Sequence, residues 1–165
     1  MVLLPLVCSK LDVPIIAAGG ISDGRGMAAA FALGAEGVQM GTRMVSAAES
    51  PVHPNWKSAI VSAKETDTVF LNRFGPGPAC RALRTEKTTL LEKEPGENGV
   101  APEFRRSQEL YFGGDMEASI ALSGQVAGRI DSVKPVAQVI NETVAEFEAV
   151  MTEMGARFGK AAAPA

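Results

Sequence analysis

Residues 13–42 read VPIIAAGGISDGRGMAAAFALGAEGVQMGT, and this stretch decides the fold. An apolar run from Val13 to Ala17 leads into the pair Gly19-Gly20, which is how a buried strand of a parallel sheet ends. From about Asp23 to Leu33, apolar and small side chains recur at helical spacing, and Ser22 is placed to cap that helix. The pattern therefore predicts a buried strand followed by a short helix.

A second buried strand is predicted over about Gly37 to Met40. Gly34 supplies a left-handed stop for the helix, and another apolar run follows it. Strand, helix and strand in this order form a right-handed β-α-β unit, so we expect the two strands to be parallel. Ligand sites in such units lie beyond the carboxyl ends of the strands.

Both predicted strands end in a glycine turn. Gly19, Gly20 and Gly41 have no side chain to keep an anion away from the backbone N–H groups, and Thr42 adds a hydroxyl donor. One such turn would be an ordinary feature of the chain. Two turns at the same end of neighbouring strands match the loops where α/β barrels bind a phosphate group, after their last two strands. The stretch therefore predicts a phosphate site built from neutral dipoles.

The run PIIAAGGISDGRGMAAAFALGAEGVQMGTRMV, residues 14–45, resembles the flavin-phosphate segment of the nitronate monooxygenase family, formerly called nitropropane dioxygenases. Members of that family are FMN-dependent α/β barrels. A looser form of the pattern occurs in inosine monophosphate dehydrogenase and in flavin-type enoyl-acyl-carrier-protein reductases. The resemblance implies that one set of residues contacts or lines the FMN site: Gly19, Gly20, Gln39, Met40, Gly41 and Thr42.

The length of the chain, 165 residues, suits one domain with a sizeable core but falls short of the roughly 250 residues of a complete barrel. We therefore expect an α/β fold, the carboxy-terminal portion of a TIM-type (β/α)8 barrel.

The formal net charge of -3 gives no basic stripe for nucleic acid. No apolar run approaches the roughly twenty residues of a membrane span, so a cytoplasmic protein is expected. Cys8 and Cys80 have no metal-ligand spacing and are expected to be reduced, buried thiols.

Composition divides the chain into three parts. Residues 1–50 hold a helix near the start, the β-α-β segment and the phosphate site. Residues 51–115 carry many charges and turn clusters, which predicts a mainly helical insertion subdomain. Residues 116–165 form the terminal barrel segment with a last helix, for which Ser132 is the expected cap and Pro135 lies in the first turn. The apolar stripe predicted for this helix comprises Val136, Val139, Ile140, Val144, Phe147, Val150, Met151 and Met154.

No catalytic residue is assigned. The one histidine, His53, stands between two prolines just before a predicted helix at about Asn55 to Ala63, where a structural role at the helix start is favoured over that of a general base. In the resembled family the base lies in a Gly-Gly-His loop upstream of the helix predicted at residues 1–10. The resemblance thus implies that the chemistry precedes this segment.

The stretch ALSGQVAGRID, residues 121–131, is also typical of the resembled family. There, a small residue near Ser123 borders flavin and substrate, so Ser123 and Gln125 are candidate substrate-pocket residues. Close helix packing explains the small side chains equally well.

Three functions remain open. The first is an FMN-dependent oxidoreductase that oxidises alkyl nitronates with dioxygen. The second is a flavin-type enoyl-acyl-carrier-protein reductase, and the third is a non-catalytic fragment that binds FMN or another phosphate compound. The partners expected besides nitronate and dioxygen are an amino-terminal barrel half or further copies of the chain, because two parallel strands alone leave both edges of a sheet unpaired.

Overall fold

The computed structural model describes residues 2–75, 77–94 and 96–159. Residues 160–165 of the predicted terminal segment lie outside this part. The chain separates into two compact units, the first made of Met1–Gln39 with Ala137–Ala165 and the second of Met40–Val136. The elements in chain order are α1 (Leu3–Lys10), β1 (Ile16–Ala18), α2 (Gly24–Ala32), β2 (Gly37–Gln39), α3 (Thr42–Val45), α4 (Pro54–Ser62), β3 (Thr68–Leu71), β4 (Cys80–Leu83), α5 (Glu86–Lys93), a 3₁₀ segment (Ala101–Arg106), α6 (Ser107–Tyr111), a second 3₁₀ segment (Gln125–Arg129) and α7 (Val136–Phe158).

The β-α-β unit predicted at the start of the chain is present in the first compact unit. β1 pairs with β2 in parallel, with Ala17 opposite Val38 at the centre of the register. Gly34 ends the intervening helix with a φ of +100°, as predicted. The predicted cap was wrong by one residue, because the carboxylate of Asp23, and not Ser22, accepts from the Gly26 amide at 2.8 Å.

The prediction that both strands are buried was wrong. β1 is shorter than the predicted run, and within it only Ala17 is buried, whereas 57% of Ile16 is exposed. β2 has no buried residue. The reason is that the parallel sheet has two strands in the described part of the chain, so no third strand there covers the outer edge of β1.

α7 is the longest of the described helices, and it packs on α2. The rings of Phe31 and Phe147 lie 5.2 Å apart, centroid to centroid. Only Val139 and Thr143 of α7 are buried. Much of the predicted apolar stripe, including Ile140 and Met151, is therefore exposed. Helical spacing predicted the stripe, but burial requires a neighbouring surface to cover it.

Ser132 does not cap α7, which corrects a second predicted cap. Its hydroxyl donates to the Asp131 carboxylate at 2.7 Å. The first amide of the helix, at Val136, donates instead to the Glu49 carboxylate at 2.8 Å. Pro135 disfavours helical backbone at the residue before it, so the helix begins after the proline and too far from Ser132 for a cap.

The region 51–115 contains an antiparallel hairpin that the sequence did not predict, in addition to the helices α4, α5 and α6. β3 and β4 pair with Thr68 opposite Leu83 and Leu71 opposite Cys80. Each strand has four residues, too few to show a period of two, and β4 reads CRAL, which is poor in β-branched residues. The division of the chain into three parts stays a prediction.

The two hydrophobic clusters of the second unit meet at β4. Leu83 belongs to a cluster built around Trp56 and Ile60, while its neighbour Ala82 belongs to a cluster built around Val69. Successive side chains of a strand point to opposite faces, so one strand supplies both clusters.

Candidate functional site

The first candidate element is the corner after β1. Gly19 and Gly20 have φ angles of +109° and +74°, which side chains other than glycine rarely adopt. A Cβ atom built on either residue would meet nothing within 4 Å. The corner is therefore a backbone turn that only glycine forms without strain, and it opens on free space of the kind that a bound anion would fill.

An apolar groove of about 660 Å³ begins at this corner. Its walls come from α1, β1 and α2, and Gly19, Gly20 and Ile21 form one end of it. Leu4, Val7 and Ala30 are among the other lining residues. The groove therefore offers apolar surface directly beside the glycine turn.

The second candidate element is the loop from Gln39 to Thr42. Gly41 has an ordinary φ of -81°, so its backbone does not require glycine, but a Cβ there would again meet nothing within 4 Å. Thr42 opens α3, and its Oγ1 accepts a hydrogen bond from the Gly124 amide at 2.9 Å. A hydroxyl that accepts one bond still has its proton to donate, so Thr42 can bind a ligand oxygen.

The same contact brings the predicted pocket segment to the predicted cofactor loop. Gly124 lies between Ser123 and Gln125, and its amide reaches Thr42, which is 82 positions earlier in the chain. Only 4% of Ser123 is exposed, and within the described part of the chain its Oγ has no hydrogen-bond partner. A buried hydroxyl without a partner is costly, so Ser123 is suited to bind a polar ligand atom. Gln125 is exposed.

The sequence did not single out Arg43, which is buried beside this site. Its Nη1 donates to the backbone oxygen of Ser132 at 2.8 Å. Asp131 is the chain neighbour of Ser132, and its pKa is lowered. The largest cause is the hydrogen bond from the Ser132 hydroxyl, and the positive charges of Lys134 and Arg43 lower the pKa to a smaller degree. An arginine directly after a predicted ligand-binding threonine was the available signal, but nothing in the local pattern indicated its burial.

His53 has the structural role that was favoured for it. Its Nδ1 accepts from the Asn55 amide at 3.1 Å, so it caps α4. Cys8 and Cys80 are free thiols, as expected, but both are half-buried and not buried as predicted. Partial burial raises the pKa of Cys80. Across residues 2–75, 77–94 and 96–159 there is no group of three His, Cys, Asp or Glu side chains that could hold a metal ion. No helix of the same ranges is long and apolar enough to cross a membrane.

The glycine corner and the Thr42 loop belong to different compact units. In the first unit, the register of β1 and β2 brings the carboxyl ends of both strands to the same edge, as the sequence predicted. Joint binding of one phosphate by Gly20 and Gly41 stays a prediction. Each element by itself fits an anionic group, through open backbone at the first and a hydroxyl donor at the second.

Comparison with known proteins gives the site a context. A model of the nitronate monooxygenase family matches residues 1–146. A probable nitronate monooxygenase of Staphylococcus aureus is 32% identical over 157 residues, which cover 90% of this chain and 43% of that protein. The chain therefore spans less than half the length of this relative.

Two solved structures are also similar. FabK from Thermotoga maritima is 42% identical, with a TM-score of 0.86, and the match covers 94% of this chain and 50% of FabK. A nitroalkane oxidase from Streptomyces ansochromogenes, 24% identical, has a TM-score of 0.76 over 92% of this chain and 44% of its own length. At that identity the likeness concerns the fold alone.

Proposed function

The chain belongs to the nitronate monooxygenase family, and from that premise we propose that it is the phosphate-binding segment of an FMN-dependent oxidoreductase acting on alkyl nitronates. The observation that carries the proposal is the open corner at Gly19 and Gly20, where two consecutive left-handed glycines follow a parallel strand. When bound, FMN would supply the redox chemistry between a nitronate and dioxygen. The proposed role of this chain is to bind and orient the flavin.

The phosphate end is assigned to neutral donors. Backbone amides at the glycine corner and the Thr42 hydroxyl donate to phosphate oxygens, with Gln39, Met40 and Gly41 alongside. Gly41 supports this assignment because the space where its side chain would stand is empty.

The substrate side is assigned to Ser123 and Gln125. Ser123 supports this because its buried hydroxyl has no partner within the described part of the protein. A nitronate carries negatively charged oxygens, for which a hydroxyl proton is a suitable donor. Gln125 is exposed at the start of its 3₁₀ segment and has amide donors for the same purpose.

Completion of a (β/α)8 barrel by further β/α units forms part of the proposal. Apolar side chains next to β1 support it: 72% of Leu3, 59% of Val13 and 57% of Ile16 are exposed. A strand added at the outer edge of β1 would satisfy its backbone and cover these side chains. An amino-terminal barrel half is the proposed source of that strand, and further copies of the chain are the alternative.

The test of the phosphate site compares FMN with riboflavin, which lacks the phosphate group. Purified chain is titrated with each flavin, and the change in flavin fluorescence gives the two dissociation constants. We expect FMN to bind at least about tenfold more tightly, as charge-assisted hydrogen bonds to the phosphate predict. Equal affinities, or no binding of either flavin, would contradict the assignment.

A matched pair of variants locates the site. Gly41→Leu places a side chain in the open space where the phosphate is proposed, and its φ of -81° is one that leucine adopts readily. Gly155→Leu makes the same change on α7, where a Cβ also meets nothing within 4 Å. FMN binding should be lost in the first variant and unchanged in the second.

A flavin-type enoyl-acyl-carrier-protein reductase is the second candidate. It stays a candidate because the 42% identity to FabK exceeds the 32% identity to the nitronate monooxygenase relative, so the family match alone does not select the substrate. Oxygen uptake that depends on a nitronate would support the first function. Consumption of NAD(P)H that depends on an enoyl thioester would support the second. Both activities are measured with the proposed amino-terminal barrel half supplied, and tight FMN binding with neither activity would then indicate a non-catalytic binding fragment.

A further inference from the structure

Arg43 is a charged residue with only 6% of its surface exposed. Its Nη1 donates to the Ser132 carbonyl at 2.8 Å and to the Ser46 hydroxyl at 3.1 Å. Ser46 is fully buried, and its hydroxyl donates in turn to the Arg43 carbonyl at 2.9 Å. A buried guanidinium is tolerated only when its donors are bonded, so these contacts couple α3 to the backbone at Ser132.

The neighbouring residue of α3 makes a second contact to the same stretch. Thr42 Oγ1 accepts from the Gly124 amide at 2.9 Å. Consecutive side chains of α3 thus bond to both ends of the stretch 124–132. Val126 and Ala127 lie between these ends and are buried. The stretch is therefore held at both ends by α3 and between them by packing.

This arrangement determines where the Thr42 hydroxyl can donate. The bond from Gly124 occupies one acceptor position of Oγ1, and the remaining proton points elsewhere. If α3 shifted relative to the stretch, Thr42 would lose Gly124 and its hydroxyl would be free to rotate. Arg43 opposes that shift, because its guanidinium bonds to the other end of the stretch.

We propose that Arg43 is a positioning residue for the phosphate end of the flavin, acting through α3 on the Thr42 hydroxyl and the Gly124 amide. The inference rests on the proposed function, in which Thr42 donates to the phosphate. Arg43 itself does not touch the ligand in this proposal. It reduces the freedom of the donor that does.

A merely structural role for Arg43 makes a different prediction. Loss of packing would weaken the binding of FMN and riboflavin by the same factor, since both carry the same ring system and ribityl chain. Loss of a positioned phosphate donor would weaken FMN alone. The ratio of the two dissociation constants therefore separates the two roles.

The experiment uses the 165-residue chain in four forms: wild type, Arg43→Met, Arg43→Lys and Arg25→Met. Arg25 is the matched control, because the same change is made to a side chain that is 64% exposed. Arg43→Met should lower the preference for FMN over riboflavin by about tenfold. Arg43→Lys should lower it less, because an ammonium group keeps the charge but not the geometry of the guanidinium. Arg25→Met should leave it unchanged. An unchanged preference in Arg43→Met would overturn the inference.

A second measurement does not require flavin. Exchange of the Gly124 amide hydrogen, followed by nuclear magnetic resonance, should be faster in both Arg43 variants than in wild type and Arg25→Met. If Arg43→Met fails to fold, Arg43→Lys decides the question, and unchanged exchange and flavin preference in that variant would refute the positioning role. Failure of the proposed function is recognised separately, since the wild-type chain would then bind FMN no more tightly than riboflavin.

Discussion

Substitution of Gly24 by alanine should separate α2 from α7. Gly24 is buried at the first position of α2, and its amide donates to the Glu146 carboxylate at 2.7 Å. A Cβ built on Gly24 would stand 2.3 Å from the Phe147 nitrogen and 2.6 Å from the Thr143 oxygen. Both are backbone atoms of a helix, so no side-chain rotation can relieve the contact. Non-bonded atoms pack at about 3.5–4.0 Å, and the helices must therefore move apart by about 1 Å.

The expected loss of stability follows from two effects and one offset. Overpacking of a tight contact costs about 1–3 kcal/mol. Movement of the helix weakens a hydrogen bond to a charged group, worth about 1.5–3 kcal/mol. Alanine recovers up to about 1 kcal/mol as a better helix former than glycine. The free energy of unfolding should therefore fall by about 2–4 kcal/mol.

The assay is urea unfolding followed by far-ultraviolet circular dichroism. Gly26→Ala is the matched control in the same helix, because a Cβ there lies no closer than 3.3 Å to its neighbours, the nearest being a side-chain oxygen of Asp23. That variant should stay within about 1 kcal/mol of wild type. Equal stability of Gly24→Ala and Gly26→Ala would refute the close approach of the two helices.

Three further predictions concern the second unit. Gly128→Ala should lower the free energy of unfolding by about 1–3 kcal/mol, since a Cβ there would meet the backbone nitrogen of Glu65 at 2.3 Å. The fluorescence of the buried Trp56 during urea unfolding measures the loss, and a variant as stable as wild type would contradict the prediction. His53→Ala removes the cap of α4 and should lower the free energy of unfolding in urea by about 1 kcal/mol. The affinity for FMN should not change, and a change would indicate a role for His53 at the ligand site. Burial raises the pKa of Cys80, so in a Cys8→Ser variant its alkylation near pH 8.5 should be slower than that of free cysteine. Because the unfolded thiol ionises first, this group's contribution to stability is present below the ordinary thiol pKa of about 8.5 and is lost as the pH rises through its raised pKa.

Local sequence was sufficient for the β-α-β unit. The glycines at 19, 20 and 34 have the positive φ angles that their turns required. Such features depend on a few adjacent residues, so a reader of the sequence can place them. The same holds for α4 and for the histidine at its start, because a helix cap is an interaction over two or three positions.

Tertiary structure decided what depends on distant partners. The contacts of Thr42 with Gly124 and of Arg43 with Ser132 join residues 82 and 89 positions apart, and no periodicity encodes such pairs. The hairpin of β3 and β4 likewise depends on pairing between two four-residue segments whose own strand signal is weak. The sequence by itself determined where the chain turns after β1 and after α2, because glycine conformation is a local property. Only the folded chain determined that Arg43 is buried and that the Ser123 hydroxyl has no partner among the residues that the structure describes, because burial is set by whatever else packs against a residue.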